Sequence, residues 1–202
     1  YAATRVGGKL SKVPALHTNV LALAYGIAPK GRESSVLAYV LRGLSSNHLL
    51  PKDRIELYFL YFALSALYDR GLAGEAERCM HAHYGRLKAH GAWAVWECIE
   101  RGLKNKGSLC HGWAASPTAF LSRRALGVRP AAAGRSDRII VAPESEMLDW
   151  ARGTVPHPKG PVEIEWKAEG DTLRYRLAVP KGLQCEFAPQ GRLAKLRPVR
   201  ED

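Results

Sequence analysis

The sequence predicts an α + β protein of more than one domain, with antiparallel helices through its first two thirds and a small antiparallel β domain after them. Three observations lead there. Apolar residues recur at helical spacing up to about residue 127, as Leu37, Val40, Leu41 and Leu44 and again as Leu57, Leu60, Leu64 and Leu67. Beyond residue 136 the period falls to two, where Val162, Ile164 and Trp166 alternate with Glu163 and Glu165. Between them residues 129–136 hold a proline and a glycine without periodicity, and read as a linker. The expected domains are therefore 1–130 and 131–202.

The periodicity predicts six helices, near 14–25, 34–44, 54–70, 74–89, 92–101 and 116–126. Gly26, Gly71, Gly102 and Gly127 stand where helices should end, since a left-handed residue after the last turn costs glycine little. Ser116-Pro117 supplies an N-cap and a first-turn proline for the sixth. Short connections make neighbours antiparallel, so the helices form hairpins. Strands are expected at 138–142, 148–155 and Gln184–Phe187, with a hairpin over 162–179 turning at 168–171. In its second arm Leu173, Tyr175, Leu177 and Val179 alternate with Arg174 and Arg176, which points Trp166, Leu173 and Tyr175 inward. Five short strands make only a modest core, so one face of the sheet should be covered by a further layer.

Composition bounds the function classes. The 202 residues are 47% hydrophobic and 24% charged, which is a globular balance. Thirty Lys and Arg against nineteen Asp and Glu give a formal charge of +11. They are spread from Arg5 to Arg200 with only short pairs such as Arg123-Arg124, and no basic arm, phosphate loop or zinc-finger spacing accompanies them. The excess reads as a solvated surface, without a specific nucleic-acid partner.

Cys79, Cys98, Cys110 and Cys185 include no Cys-x-x-Cys pair and are expected to be reduced and mostly buried, which favours a cytoplasmic location. No apolar run approaches the roughly 20 residues that span a bilayer, so no membrane partner is expected; no signal peptide is expected at Tyr1, where a chain that opens without Met is expected to lack its true start.

Metal and cofactor chemistry finds little support. His81-x-His83 resembles a ligand pair on paper, but residues two apart on a helix point to nearly opposite sides. Cys79 and His83 share a face at i, i+4 without a second pair, which is a core arrangement. Asp53, Glu56, Asp69, Glu75 and Glu77 read as solvated helix faces, and His48, His90 and His157 sit by turns or helix ends. No cofactor and no metal are expected.

One constellation carries chemistry. Trp93-Ala94-Val95-Trp96-Glu97 places a carboxylate beside two indoles, and Ser108-Leu109-Cys110-His111-Gly112-Trp113 follows with an imidazole and a third indole. A carboxylate that moves protons, an imidazole that bonds a hydroxyl and flat aromatic faces for the apolar side of a pyranose make the residue set of a sugar-cleaving pocket. A Trp-rich helix end packed into a core is the competing reading.

These motifs resemble the C-terminal part of a bacterial α-L-rhamnosidase of glycoside hydrolase family 78. Trp96-Glu97 is similar to the family's Thr-Thr-x-Trp-Glu element and the 108–111 stretch to its Ser-x-x-His segment. The 17–29 stretch resembles a helix of its barrel, while Leu121 to Pro130 and the run from Ile140 to Pro156 look like its passage into a terminal β domain. The resemblance implies the last helical hairpins of an (α/α)6 toroid, incomplete within 1–130, followed by a small antiparallel β-sandwich at 131–202. It implies an inverting hydrolase that removes terminal α-L-rhamnose or a similar deoxy sugar. Glu97 would be its general base, His111, Trp93, Trp96 and Trp113 would bind the sugar, and the rest of the catalytic barrel would lie upstream of Tyr1.

Two departures stand out: Ala94-Val95 replaces the paired threonines, and Cys110 stands where the family often has Asn. The family's acidic Arg-Asp-Glu-Arg-like stretch, which holds its catalytic acid, has no counterpart here. Since inversion needs two carboxyl groups about 6.5–9.5 Å apart, the chain is expected to hold the base alone. The alternative is a non-catalytic module that binds carbohydrate or protein, with nucleic acid further down the order.

Overall fold

The computed structural model describes residues 1–2, 5–45, 55–104 and 107–202. Asp53 and His48, read above as a solvated carboxylate and a turn histidine, lie outside the described residues. The chain forms two compact units, Tyr1–Ser116 and Pro117–Asp202.

The first unit is helical, as its periodicity predicts. It contains α1 (Leu16–Ala24), α2 (Glu33–Ser45), α3 (Leu60–Tyr68), α4 (Ala73–Ala89) and the single turn α5 (Ile99–Gly102). Leu16, Val20 and Leu23 of α1, Val40 of α2, and Leu60, Leu64 and Leu67 of α3 are buried, which is the i, i+3, i+4 stripe made into a core. Arg70, just after α3, ties three helices: it donates to Leu23 O at 2.9 Å, to Ala66 O at 3.0 Å and to Glu33 Oε1 at 2.8 Å. Glu33 opens α2, where a carboxylate also offsets the positive end of the helix.

Two expectations are corrected here. A helix over 92–101 is absent apart from α5, because α4 is closed at its end. Gly91 turns left-handed at φ +71, its N–H returns to Lys88 O at 3.0 Å, and Ala92 N–H returns to Leu87 O at 3.0 Å. The chain then leaves as an irregular strip. A short antiparallel pair, β1 (Arg5–Val6) and β2 (Lys9–Leu10), also precedes the helices.

The second unit begins with the end of α6 (Ser116–Phe120) and a π-helical turn, Leu121–Ala125. Seven strands follow: β3 (Val128–Pro130), β4 (Arg138–Val141), β5 (Trp150–Val155), β6 (Val162–Glu169), β7 (Thr172–Ala178), β8 (Gln184–Phe187) and β9 (Arg197–Arg200). They make two sheets, ordered β3-β4-β8 and β5-β6-β7-β9. The β6–β7 hairpin pairs Trp166 with Tyr175 and closes through Gly170-Asp171, with Gly170 at φ +59.

The wholly antiparallel sheet is a further correction, since β4–β8 and β7–β9 run parallel. After β4 the chain builds the β5–β7 meander as a second sheet before returning, so β8 arrives beside β4 in the same direction. The inward positions are as expected: Trp166 and Leu173 are fully buried, and half-buried Tyr175 stacks on Phe187 with ring centroids 3.8 Å apart. Val128, Ile139 and Val141 of one sheet share a core with Ile164, Trp166 and Leu173 of the other.

Trp166 anchors this core through its polar handle, for its indole N–H donates to Ala125 O at 2.7 Å. In Trp166→Phe that buried carbonyl loses its donor and the ring volume shrinks. The expected cost is about 2–4 kcal/mol, read from urea unfolding of the chain.

Candidate functional site

The site residues lie on two strips held side by side. Val95–Glu97 runs antiparallel to 108–111: His111 N–H donates to Val95 O at 2.8 Å, and Glu97 N–H donates to Ser108 O at 3.0 Å. Ser108 N–H in turn points at Glu97 Oε2, at a long 3.4 Å. Glu97 and His111, fourteen residues apart, thereby sit on adjacent strips, both half-buried. The Ser108 hydroxyl donates to Cys110 O at 2.9 Å and tightens the second strip.

The tryptophans divide differently. Trp93 is 100% exposed and Trp113 82% exposed, with the Trp113 ring edge-on to His111 at 6.2 Å between centroids. Half-buried Trp96 and Trp93 line a cavity of about 550 Å³ with Ala94, Leu103 and Leu109. Glu97, His111 and Trp113 are not among its lining residues. Trp96 therefore borders this cavity while Glu97 does not. The arrangement thus offers a carboxylate beside a backbone donor and an imidazole on one pair of strips, and an aromatic hollow next to them.

Support comes from below. The Tyr84 hydroxyl of α4 donates to Ala114 O at 2.6 Å, and lies 3.0 Å from Ser116 Oγ and 3.2 Å from Leu57 O. It fixes the turn Gly112–Ala114 that follows His111. In the sequence Tyr84 carries no signal beyond that of a helix residue, and Gly102, against which the Trp96 ring lies, none beyond that of a helix end.

Among the described residues no group of three or more His, Cys, Asp or Glu side chains is placed to hold a metal ion. Cys79 Sγ lies 3.6 Å from His83 Nδ1 inside the helical unit, and that nitrogen is 2.9 Å from Cys79 O. No described helix is long and apolar enough to cross a membrane.

Burial pushes the Cys79 thiol up to about 12 from its ordinary 9.0. Burial, offset by the Ser116 hydrogen bond and reinforced by nearby Cys79, pushes the Tyr84 phenol up to about 12 from 10.0. In both, the unfolded chain loses its proton first as pH rises. The contribution to stability is therefore whole below about pH 9 and is lost as pH climbs towards 12. Thermal melts followed by circular dichroism should show the helical unit weakening across that window, with a shallower slope in Cys79→Ala and Tyr84→Phe. A flat profile in the parent chain would contradict the burial of both groups.

Comparison with known proteins finds similar chains. Residues 127–198 match the family model described as bacterial alpha-L-rhamnosidase C-terminal domain. An alpha-L-rhamnosidase of Alteromonas sp. (strain LOR) is 28% identical over 107 residues, which are 50% of this chain and 12% of the relative. The crystal structure of a GH78 family rhamnosidase of Bacillus sp. GL1 superposes with a TM-score of 0.80 at 24% identity, covering 96% of this chain and 20% of that one. An alpha-L-rhamnosidase structure from Dictyoglumus thermophilum gives 0.70 at 24% identity, over 85% and 20%. The chain thus spans about an eighth of the curated relative and a fifth of the solved chains. The resemblance read from the sequence, to the C-terminal part of a family 78 rhamnosidase, is borne out.

Proposed function

We propose that this chain is the C-terminal portion of an inverting glycoside hydrolase that removes terminal α-L-rhamnose, or a similar deoxy sugar, from glycans or glycosides. The observation that carries the reading is the pairing of the Val95–Glu97 and 108–111 strips, which puts Glu97 and His111 on adjacent strips. Glu97 acts as the base that takes a proton from water, and His111 bonds a sugar hydroxyl. Trp93, Trp96 and Trp113 supply aromatic faces nearby. Residues 1–130 contribute helical hairpins to an (α/α)6 toroid whose remainder comes from upstream residues, and residues 131–202 form its terminal β-sandwich. We place it in a reducing, cytoplasmic compartment on its cysteine usage, four cysteines in 202 residues with no Cys-x-x-Cys pair.

Water activated by a base cannot alone expel the glycosidic oxygen, which leaves as an alkoxide unless an acid protonates it. The sequence offers no candidate for that acid, so the isolated 202 residues should be nearly inert. Both this chain and a longer protein that carries it with its upstream residues are to be assayed on an aryl α-L-rhamnoside. Turnover by the longer protein alone, exceeding the isolated chain by on the order of 10²–10⁴, supports the reading. Robust turnover by the 202 residues would show an acid within them.

A second reading has one observation in its favour. Fully exposed Trp93 and largely exposed Trp113 are faces a sugar could stack on without chemistry. A longer protein that binds L-rhamnose in calorimetry yet hydrolyses no rhamnoside would establish this module.

A further inference from the structure

Gly102 closes α5, yet its φ is not in the left-handed region that usually calls for glycine at a helix end. The ring of Trp96 calls for it instead. A methyl group on the Gly102 Cα would lie 2.2 Å from Trp96 Cε3, 2.7 Å from Cδ2 and 2.9 Å from Cζ3. Carbon atoms rest at about 3.5–4.0 Å, so any other residue here displaces the indole. The ring has space to move into, because Trp96 is only half-buried and borders the cavity it shares with Trp93 and Leu103.

Trp96 is the middle residue of its strip. On either side Val95 O accepts from His111 N–H and Glu97 N–H donates to Ser108 O. The strip is thus tied by backbone bonds on the 108–111 side, and on the α5 side the Trp96 ring is seated on Gly102. We propose that Gly102 is a positioning residue for the Glu97 carboxylate: it seats the Trp96 ring on α5 and so fixes the backbone from which Glu97 reaches its water. This inference rests on Glu97 being the base.

The test is Gly102→Ala, which α5 tolerates as backbone but which removes the seat. In the 202-residue chain, hydrogen exchange of the Glu97 and His111 amides should speed up about tenfold or more, while amides of α3 and α4 keep their rates. In the longer enzyme kcat should fall by about 10–100-fold with KM nearly unchanged, the signature of a misplaced reacting group. Adding Trp96→Phe, whose smaller ring leaves room for the methyl, should recover part of both. If Gly102→Ala does not fold, Trp96→Leu removes the ring while keeping Gly102 and should loosen the same two amides. Unchanged exchange at those amides, or wild-type kcat in a variant where they have loosened, overturns the proposal. Glu97→Gln separates the two layers. If it is inactive while Gly102→Ala is fully active, only the positioning role falls; if it is fully active, the base assignment falls and takes this inference with it.

Discussion

Glu97→Gln in the longer enzyme should lower kcat on an aryl α-L-rhamnoside by on the order of 10²–10⁴ while leaving KM within a fewfold. Glutamine keeps the size of the side chain, and its carbonyl oxygen can still accept from Ser108 N–H, a contact that ties Glu97 to the second strip. What it cannot do is take a proton from water at neutral pH. The fold should therefore be intact and the melting temperature close to that of the parent, so the lost rate reports chemistry alone. His111→Ala should differ in kind, raising KM as well, because a hydrogen bond to a sugar hydroxyl acts on the bound substrate. Wild-type kcat in Glu97→Gln would remove Glu97 from the mechanism.

Gly127→Ala should cost the β unit about 2–5 kcal/mol, from a left-handed backbone and an overpacked contact together. Gly127 has φ +78, and a methyl group there would sit 2.2 Å from Pro143 N and 2.3 Å from Ala142 C. These are backbone atoms of the segment that Gly127 itself bonds, since its carbonyl accepts Ala142 N–H at 2.9 Å. No rotamer change relieves the clash. Domains are stable by only about 5–15 kcal/mol, so the variant should show a markedly lower unfolding midpoint for the β unit. A midpoint equal to that of the parent would mean the turn into β3 is not built as described.

The fold was legible wherever a local pattern decides it. Alternation through Val162, Ile164 and Trp166 located β6, and the turn before Leu173 located β7. β3 and β9 escaped because Val128-Arg129-Pro130 and Arg197-Pro198-Val199-Arg200 are too short and too broken by proline to show a period. The parallel pairings of β8 and β9 depend on where the chain returns from, which no window of sequence contains. In the helical unit the periodicity predicts a helix over 92–101, yet Val95 and Glu97 take His111 and Ser108 as backbone partners, set by a loop closure that periodicity does not register. The carboxylate and imidazole could be named from their residue types and motif. That the Trp96 ring rests on Gly102 could not, since the ring's seat is a three-dimensional contact with a residue that has no side chain.

The stereochemistry of the first product tests the central claim most directly. A base that activates water on the face opposite the leaving group, with a separate acid about 6.5–9.5 Å away, inverts the anomeric centre. Proton NMR of the longer enzyme acting on an aryl α-L-rhamnoside, recorded before mutarotation, should show β-L-rhamnose first, with the signal absent in Glu97→Gln. α-L-rhamnose as the first product would mean a covalent intermediate with a carboxylate nucleophile, and would contradict the role assigned to Glu97.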